Sequence, residues 1–189
     1  MNKQNTIIMS IAVIAALGIT SIGLTQNNSG EIIHVEYAGS LPNFPMEYLA
    51  ETSEYAIKGK VVSITSQPVE FYKSSPRINS DVVIDVKKDL FGKYTEDQIT
   101  VRISGGEYEN YKVSSNVTPQ FEVGKTVLVL VHAPEPESIF GDNYYVSGWE
   151  LGKYDLSDNQ AKHKKSDRDM SESELTKKIQ KAKSDKSYS

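Results

Sequence analysis

The sequence predicts an all-β domain: a small barrel of five to six strands, preceded by a hydrophobic N-terminal helix and followed by a charged, partly helical or disordered tail. Three observations predict it. From residue 55 onward apolar residues recur with a period of two. Turn signals rich in Gly, Pro, Asn and Ser separate these runs. The connections lack the amphipathic helices, roughly 10–15 residues long, that a parallel βαβ sheet needs.

At 189 residues the chain is one domain or one domain with appendages. Charge divides it in three. Residues 1–30 carry only Lys3, residues 31–156 carry 11 basic and 19 acidic residues (net −8), and residues 157–189 carry 9 basic and 6 acidic (net +3). An acidic folded part excludes a dedicated nucleic-acid binder. The absence of cysteine excludes a disulfide framework, a thiolate metal site and a cysteine nucleophile.

The first element is the apolar run of residues 7–24, flanked by Lys3 and uncharged up to Glu31. A bilayer-spanning helix needs roughly 20 apolar residues, and a secretory signal has an apolar region of about 7–15. The run therefore reads as an anchor, with the membrane as partner through residues 7–24, or as a signal cleaved near Gly18 or Gly23. A buried core helix is the competing reading. The lone basic residue at the short end places residues 31–189 outside the cytoplasm. The tripeptides Asn27-Asn28-Ser29 and Asn116-Val117-Thr118 match a glycosylation sequon, which short polar stretches often do by chance. Gln26-Asn27-Asn28-Ser29-Gly30 is a linker by composition.

A short helix follows over residues 45–53. Pro45 can start it, Met46, Leu49 and Ala50 recur at helical spacing, and Glu47 suits the positive end of the helix dipole. Residues 55–65 are β-branched and read as a strand. Ile57 and Val61 lie on one face, Val62 and Ile64 on the other, and Gly59 marks a bend or a bulge. Val82, Ile84 and Val86 alternate with Asp81 and Asp85, and Ile99, Val101 and Ile103 alternate with Thr100 and Arg102, so each strand has one wet face. The run Val127-Leu128-Val129-Leu130-Val131 shows no alternation, which predicts burial on both faces. Residues 144–149 and 153–156 read as a last strand pair. In the tail, Ser171-Glu172-Ser173-Glu174 is a capping box that opens a helix to about residue 184, with an apolar stripe of Leu175, Ile179 and Ala182. The domain boundaries are thus residues 1–30, 31–156 and 157–189.

The order of Glu54-Tyr55-Ala56-Ile57-Lys58-Gly59-Lys60-Val61-Val62, Val82-Val83-Ile84-Asp85-Val86, Leu90-Phe91-Gly92-Lys93, Phe121-Glu122-Val123-Gly124-Lys125 and Tyr144-Tyr145-Val146-Ser147-Gly148 resembles the netrin-type module. That is the OB-like barrel shared by metalloprotease inhibitors, and small exported archaeal and bacterial proteins show the same pattern. The resemblance covers roughly residues 45–156 and implies an OB-like barrel. Those inhibitors chelate zinc through an N-terminal cysteine. This chain has none, so their activity carries over to no residue, and a fold alone hosts many functions.

The candidate chemistry is sparse. His34, His132 and His163 stand far apart, with no metal-ligand spacing, and His132 reads as a rim residue bonded to backbone. Glu107 with Glu109, and Glu135 with Glu137 and Asp142, are carboxylate pairs or clusters on loops whose spacing fits no calcium loop. Ser104-Gly105-Gly106 lacks the Lys-Ser/Thr of a phosphate loop and reads as a turn. Neither a cofactor nor a metal site is expected. The aromatic side chains offer the one ligand-binding candidate: Tyr108, Tyr111, Tyr144, Tyr145 and Trp149 as a face for sugar or peptide. The expected function is a membrane-anchored or exported extracytoplasmic binding or scaffold module, not an enzyme, with an envelope protein as partner. The alternatives are an accessory subunit or hydrolase of the cell envelope, and a ligand binder using the aromatic face.

Overall fold

A computed structural model describes residues 7–11, 22–26, 32–72, 75–135 and 138–185. In chain order the elements are β1 (Ile7–Ile11), β2 (Ile22–Gln26), β3 (Ile33–Tyr37), α1 (Met46–Thr52), β4 (Tyr55–Tyr72), β5 (Ser75–Asp89), β6 (Gln98–Ser104), β7 (Gly106–Tyr108), β8 (Tyr111–Ser115), β9 (Thr126–His132), β10 (Tyr144–Val146), β11 (Lys153–Ser157), β12 (Gln160–Lys162), β13 (Met170–Ser171) and α2 (Glu172–Asp185). They form two compact units. One holds residues 1–41, 66–80 and 104–118, and the other residues 42–65, 81–103 and 119–189.

The larger unit is the barrel. Strands β4, β5, β6, β10 and β9 pair in that order, and β9 returns to β4 to close the ring. β10 runs parallel to β6, with Tyr144 opposite Val101, and antiparallel to β9, with Tyr145 opposite His132. Counted along the chain, the first barrel strand touches the second and fourth, and the third pairs with the fifth. This order makes the barrel OB-like. The interior is filled by Ile57, Val61, Val82, Ile84, Ile99, Val101, Val127, Val129, Val131 and Val146. These are the inward residues that the period of two assigns to β4, β5, β6 and β9. All five residues of 127–131 are fully buried, as the lack of alternation predicts.

Gly59 is required by a close approach. A Cβ there would stand 2.3 Å from the Asp85 carbonyl oxygen and 2.5 Å from the Ile84 side chain, where β4 and β5 press together. Asp89 holds the turn after β5. Its Oδ1 accepts the amides of Ala56 (3.0 Å) and Phe91 (3.1 Å), and its Oδ2 those of Lys93 (2.8 Å) and Tyr94 (3.0 Å). Four charge-assisted bonds explain how this carboxylate is buried. On the wet face, Arg102 forms a bidentate pair with Asp81, both bonds at 2.7 Å. Arg102 is therefore a half-buried, paired residue rather than an exposed one.

The expected last strand pair is arranged differently. β10 and β11 do not pair with each other; both lie along one edge of β9, at residues 131–132 and 126–129 respectively. Between them the chain makes a short 3₁₀ turn, Trp149–Gly152. Gly148 has φ 62°, and a Cβ there would meet Leu49 at 2.6 Å, so only glycine fits this turn.

The tail is part of this unit. β12 extends the sheet from β11, and β13 from β12. The capping box forms as expected, with Glu174 N donating to Ser171 Oγ at 3.2 Å. α2 is not a solvated helix, however: Leu175, Ile179 and Ala182 are buried, and α2 packs on α1. Three polar contacts add to that stripe. Lys58 pairs with Glu172, Gln180 Nε2 donates to Leu90 O at 3.2 Å, and Lys183 Nζ caps α1 through Glu51 O (2.7 Å) and Ser53 O (2.5 Å). A lysine at a helix C-terminus also opposes the helix dipole favourably. The apolar surface that receives the stripe, around α1, lies far away in sequence. The boundary at residue 156 thus cuts through one packed body.

The smaller unit is a five-stranded sheet in the order β1-β2-β3-β8-β7. Its buried apolar cluster is Val35, Ile78 and Val113. The helix expected over residues 7–24 is replaced here, in the described part, by two strands: β1 pairs antiparallel with β2, and β2 with β3. Isoleucines at 7, 8, 11 and 22 suit a strand as well as an apolar helix, and a short apolar run carries no period that separates the two. Residues 12–21, the linker residues 27–30 and the sequon at Asn27 lie outside the described residues. No helix among the described residues is long and apolar enough to cross a membrane. At the other sequon, Asn116 Oδ1 accepts from Gly39 N (2.8 Å) and its Nδ2 donates to Gly39 O (3.1 Å). The atom a glycan would take is thus engaged.

Candidate functional site: an aromatic ladder beside two carboxylates

Strand alternation sends neighbouring tyrosines to opposite sides of β10. Tyr144 points inward and meets Tyr55 and Tyr94 edge to face, with ring centroids 5.9 and 6.0 Å away. Tyr55 and Tyr94 are themselves 5.2 Å apart. These three rings pack against the barrel interior. Burial, followed by the neighbouring phenols and Glu96, raises the pKa of Tyr94, and burial likewise raises that of Tyr144.

Tyr145 points outward into a different cluster. Its ring lies 5.1 Å from His132 and is stacked on Phe140 at 5.2 Å. Phe140 in turn meets Trp149 edge to face at 5.7 Å. The result is a ladder of four rings, His132–Tyr145–Phe140–Trp149, with Phe140 buried and the other three half-buried. Trp149 stands at φ 58°, in the left-handed region. A bulky residue seldom adopts that conformation, and it costs on the order of 1–3 kcal/mol unless its surroundings impose it.

Two carboxylates flank the ladder. Glu54 Oε2 lies 3.1 Å from His132 Nδ1 and accepts the Ala133 amide at 3.1 Å. The backbone puts it there, because Glu54 N donates to Val131 O where β4 begins beside β9. His132 is thus bonded to a carboxylate and not to backbone as expected. Glu135, three residues beyond His132, acts on the Tyr145 phenol through hydrogen bonding and charge that raise its pKa. Burial first, then that hydrogen bond and the charges of Glu135 and Glu54, push the Tyr145 pKa up to about 12. Among the described residues neither carboxylate has a lysine or arginine partner.

Of the five aromatic residues expected to form one face, the structure brings Tyr145 and Trp149 together. Tyr144, half-buried, packs against the barrel core instead. Tyr108 and Tyr111 are paired across the β7–β8 hairpin of the other unit and pack on its core. Sequence reasoning missed Phe140, Glu54 and the ladder role of His132. Phe140 carried no local signal beyond its aromaticity, and Glu54 is 78 residues from His132, adjacent only through strand pairing.

A second polar cluster lies inside the same unit. His163 is buried, its ring 5.0 Å from Tyr154, and its Nδ1 accepts the Lys165 amide at 2.8 Å. Burial, then the Arg168 charge, lowers its pKa. Elsewhere, a shallow open concavity is lined by Asp85, Val86, Glu96, Asp97 and Gln98. Among the described residues no three His, Asp or Glu side chains gather into a metal-holding group.

Comparison with protein-family models, with curated proteins and with solved structures gives no match to this chain.

Proposed function

We propose that the chain is an exported, extracytoplasmic binding module without catalytic activity, and that the aromatic ladder is its binding surface. One observation carries the reading: four rings line up beside two carboxylates on the outer side of β9 and β10, and one of them, Trp149, is held in a strained conformation. A side chain fixed at such a cost is more usefully explained by recognition than by packing. The location rests on the sequence, where Lys3 precedes a run uncharged up to Glu31. Against a hydrolase, His132 has Glu54 as its one hydrogen-bond partner among the described residues, and a base without a hydroxyl nucleophile does not make a catalytic pair.

The test has two readouts. Protease added outside intact cells should digest residues 31–189, and the intact chain in the cytosol would reject export. Purified protein should bind saturably to envelopes of its own cells, and Tyr145→Ala should remove that binding. The exposed control Val123→Ser should retain it. Equal binding by both variants would reject the ladder as the binding surface.

A further inference from the structure

The chemistry of the ladder selects among partners. Ring faces carry negative electrostatic potential and attract cations, most strongly at tryptophan. Glu54 and Glu135 add two carboxylates at the same place, and no lysine or arginine among the described residues neutralises them. The unit that carries the ladder is itself acidic, with 17 basic and 20 acidic residues over 42–65, 81–103 and 119–189. A neutral sugar would use the rings and leave the charge unanswered. A compact ammonium would answer the charge but, being strongly hydrated, would stack poorly. A guanidinium does both, because its plane stacks on aromatic rings and its N–H groups fork onto a carboxylate.

The occupant is also macromolecular. The ladder is half-buried and open, so a single small cation would gain little from it. Tyrosine, tryptophan and arginine are the residues that concentrate binding energy within larger protein interfaces.

We propose that the His132–Tyr145–Phe140–Trp149 ladder, with Glu54 and Glu135, reads an arginine side chain presented by a partner polypeptide. The inference rests on the ladder being the binding surface.

Trp149 is the one tryptophan of the chain, so its emission reports on the site directly. The full chain, in mild detergent, is titrated with a short peptide carrying two arginines and with its lysine and citrulline counterparts. The arginine peptide should give a saturable change in Trp149 emission that weakens as salt rises. The lysine peptide should bind at least about fivefold more weakly, and the uncharged citrulline peptide should give no response. Glu54→Gln and Glu135→Gln should each weaken arginine binding about fivefold or more, the scale of one lost charge pair, with an unchanged unfolding midpoint. Equal response to citrulline, indifference to both Gln variants, or no response to the arginine peptide would overturn the arginine assignment. The ladder reading fails separately, when Tyr145→Ala leaves envelope binding intact.

Discussion

Tyr144 and Tyr145 are neighbours on one short strand, yet they belong to different machinery. Tyr144 meets Tyr55 and Tyr94 edge to face and packs against the barrel core. Tyr145 stacks with His132 and Phe140 between two carboxylates. One residue type, one peptide bond apart, thus serves a core in one case and a surface in the other. The pleat of β10 makes that assignment, and composition does not. Aromatic content alone is therefore a poor guide to a binding face. What separates the two clusters is their packing, since Tyr144 lies against the barrel core and Tyr145 joins the outer ladder beside Glu54-bonded His132.

The comparison can be broken at several levels, from the wall that both clusters share down to single protons. Leu128 is fully buried in β9. Leu128→Asp should unfold the larger unit, at a cost above about 4 kcal/mol, because an unpaired carboxylate is forced into an apolar site. Denaturant melts would show it, and a variant with a near-native midpoint would contradict the barrel. At the next level the two tyrosines should diverge. Tyr144→Ala should cost about 2–3 kcal/mol through lost core packing. Tyr145→Ala should cost about 1 kcal/mol and remove the Trp149 response to ligand. The reverse order in chemical denaturation would mean that the roles are exchanged.

Arg102→Ala provides a charge pair remote from the ladder. Its bidentate contact with Asp81 is worth about 1 kcal/mol, near the top of the range for partly exposed pairs. A smaller shift in Tm would mark the pair as decorative.

The finest distinctions are in pH. Tyr145 has its folded pKa raised to about 12 from an ordinary value near 10. Its contribution to stability is therefore complete below pH 10 and is lost as pH rises from 10 toward 12. Tyr145→Phe should flatten that alkaline loss, which stepwise denaturation between pH 9 and 12 would reveal. His163 behaves oppositely, since burial lowers its folded pKa below the ordinary 6.5. The unfolded chain takes up the proton first, so stability should begin to fall as pH drops below about 6.5. His163→Gln should remove this acid step, seen as a Tm that no longer declines between pH 7 and 5.

Much of the fold was legible residue by residue. The alternation of Val82, Ile84 and Val86, and of Ile99, Val101 and Ile103, reports a face directly because the strand period is two. The unbroken run 127–131 announces burial on both sides. Pro45 with Met46, Leu49 and Ala50, and the capping box at Ser171, set helix ends by hydrogen bonds within one turn. All of these are local rules acting over a few residues.

Only the tertiary structure decided the rest. Whether residues 7–11 and 22–26 are helix or strand depended on the pairing partner that β3 offers β2, because isoleucine accommodates both. That the tail docks depended on an apolar surface around α1, over 100 residues earlier in the chain. That β10 and β11 share one edge of β9 depended on the turn made possible by Gly148. The ladder follows the same logic. His132 and Tyr145 face each other because β9 and β10 pair in that register, and Glu54 arrives because β4 starts where β9 ends. Periodicity says which side chains share a face of their own strand. Which strand lies next to it is set by the burial of the whole barrel, and no single stretch of sequence contains that sum.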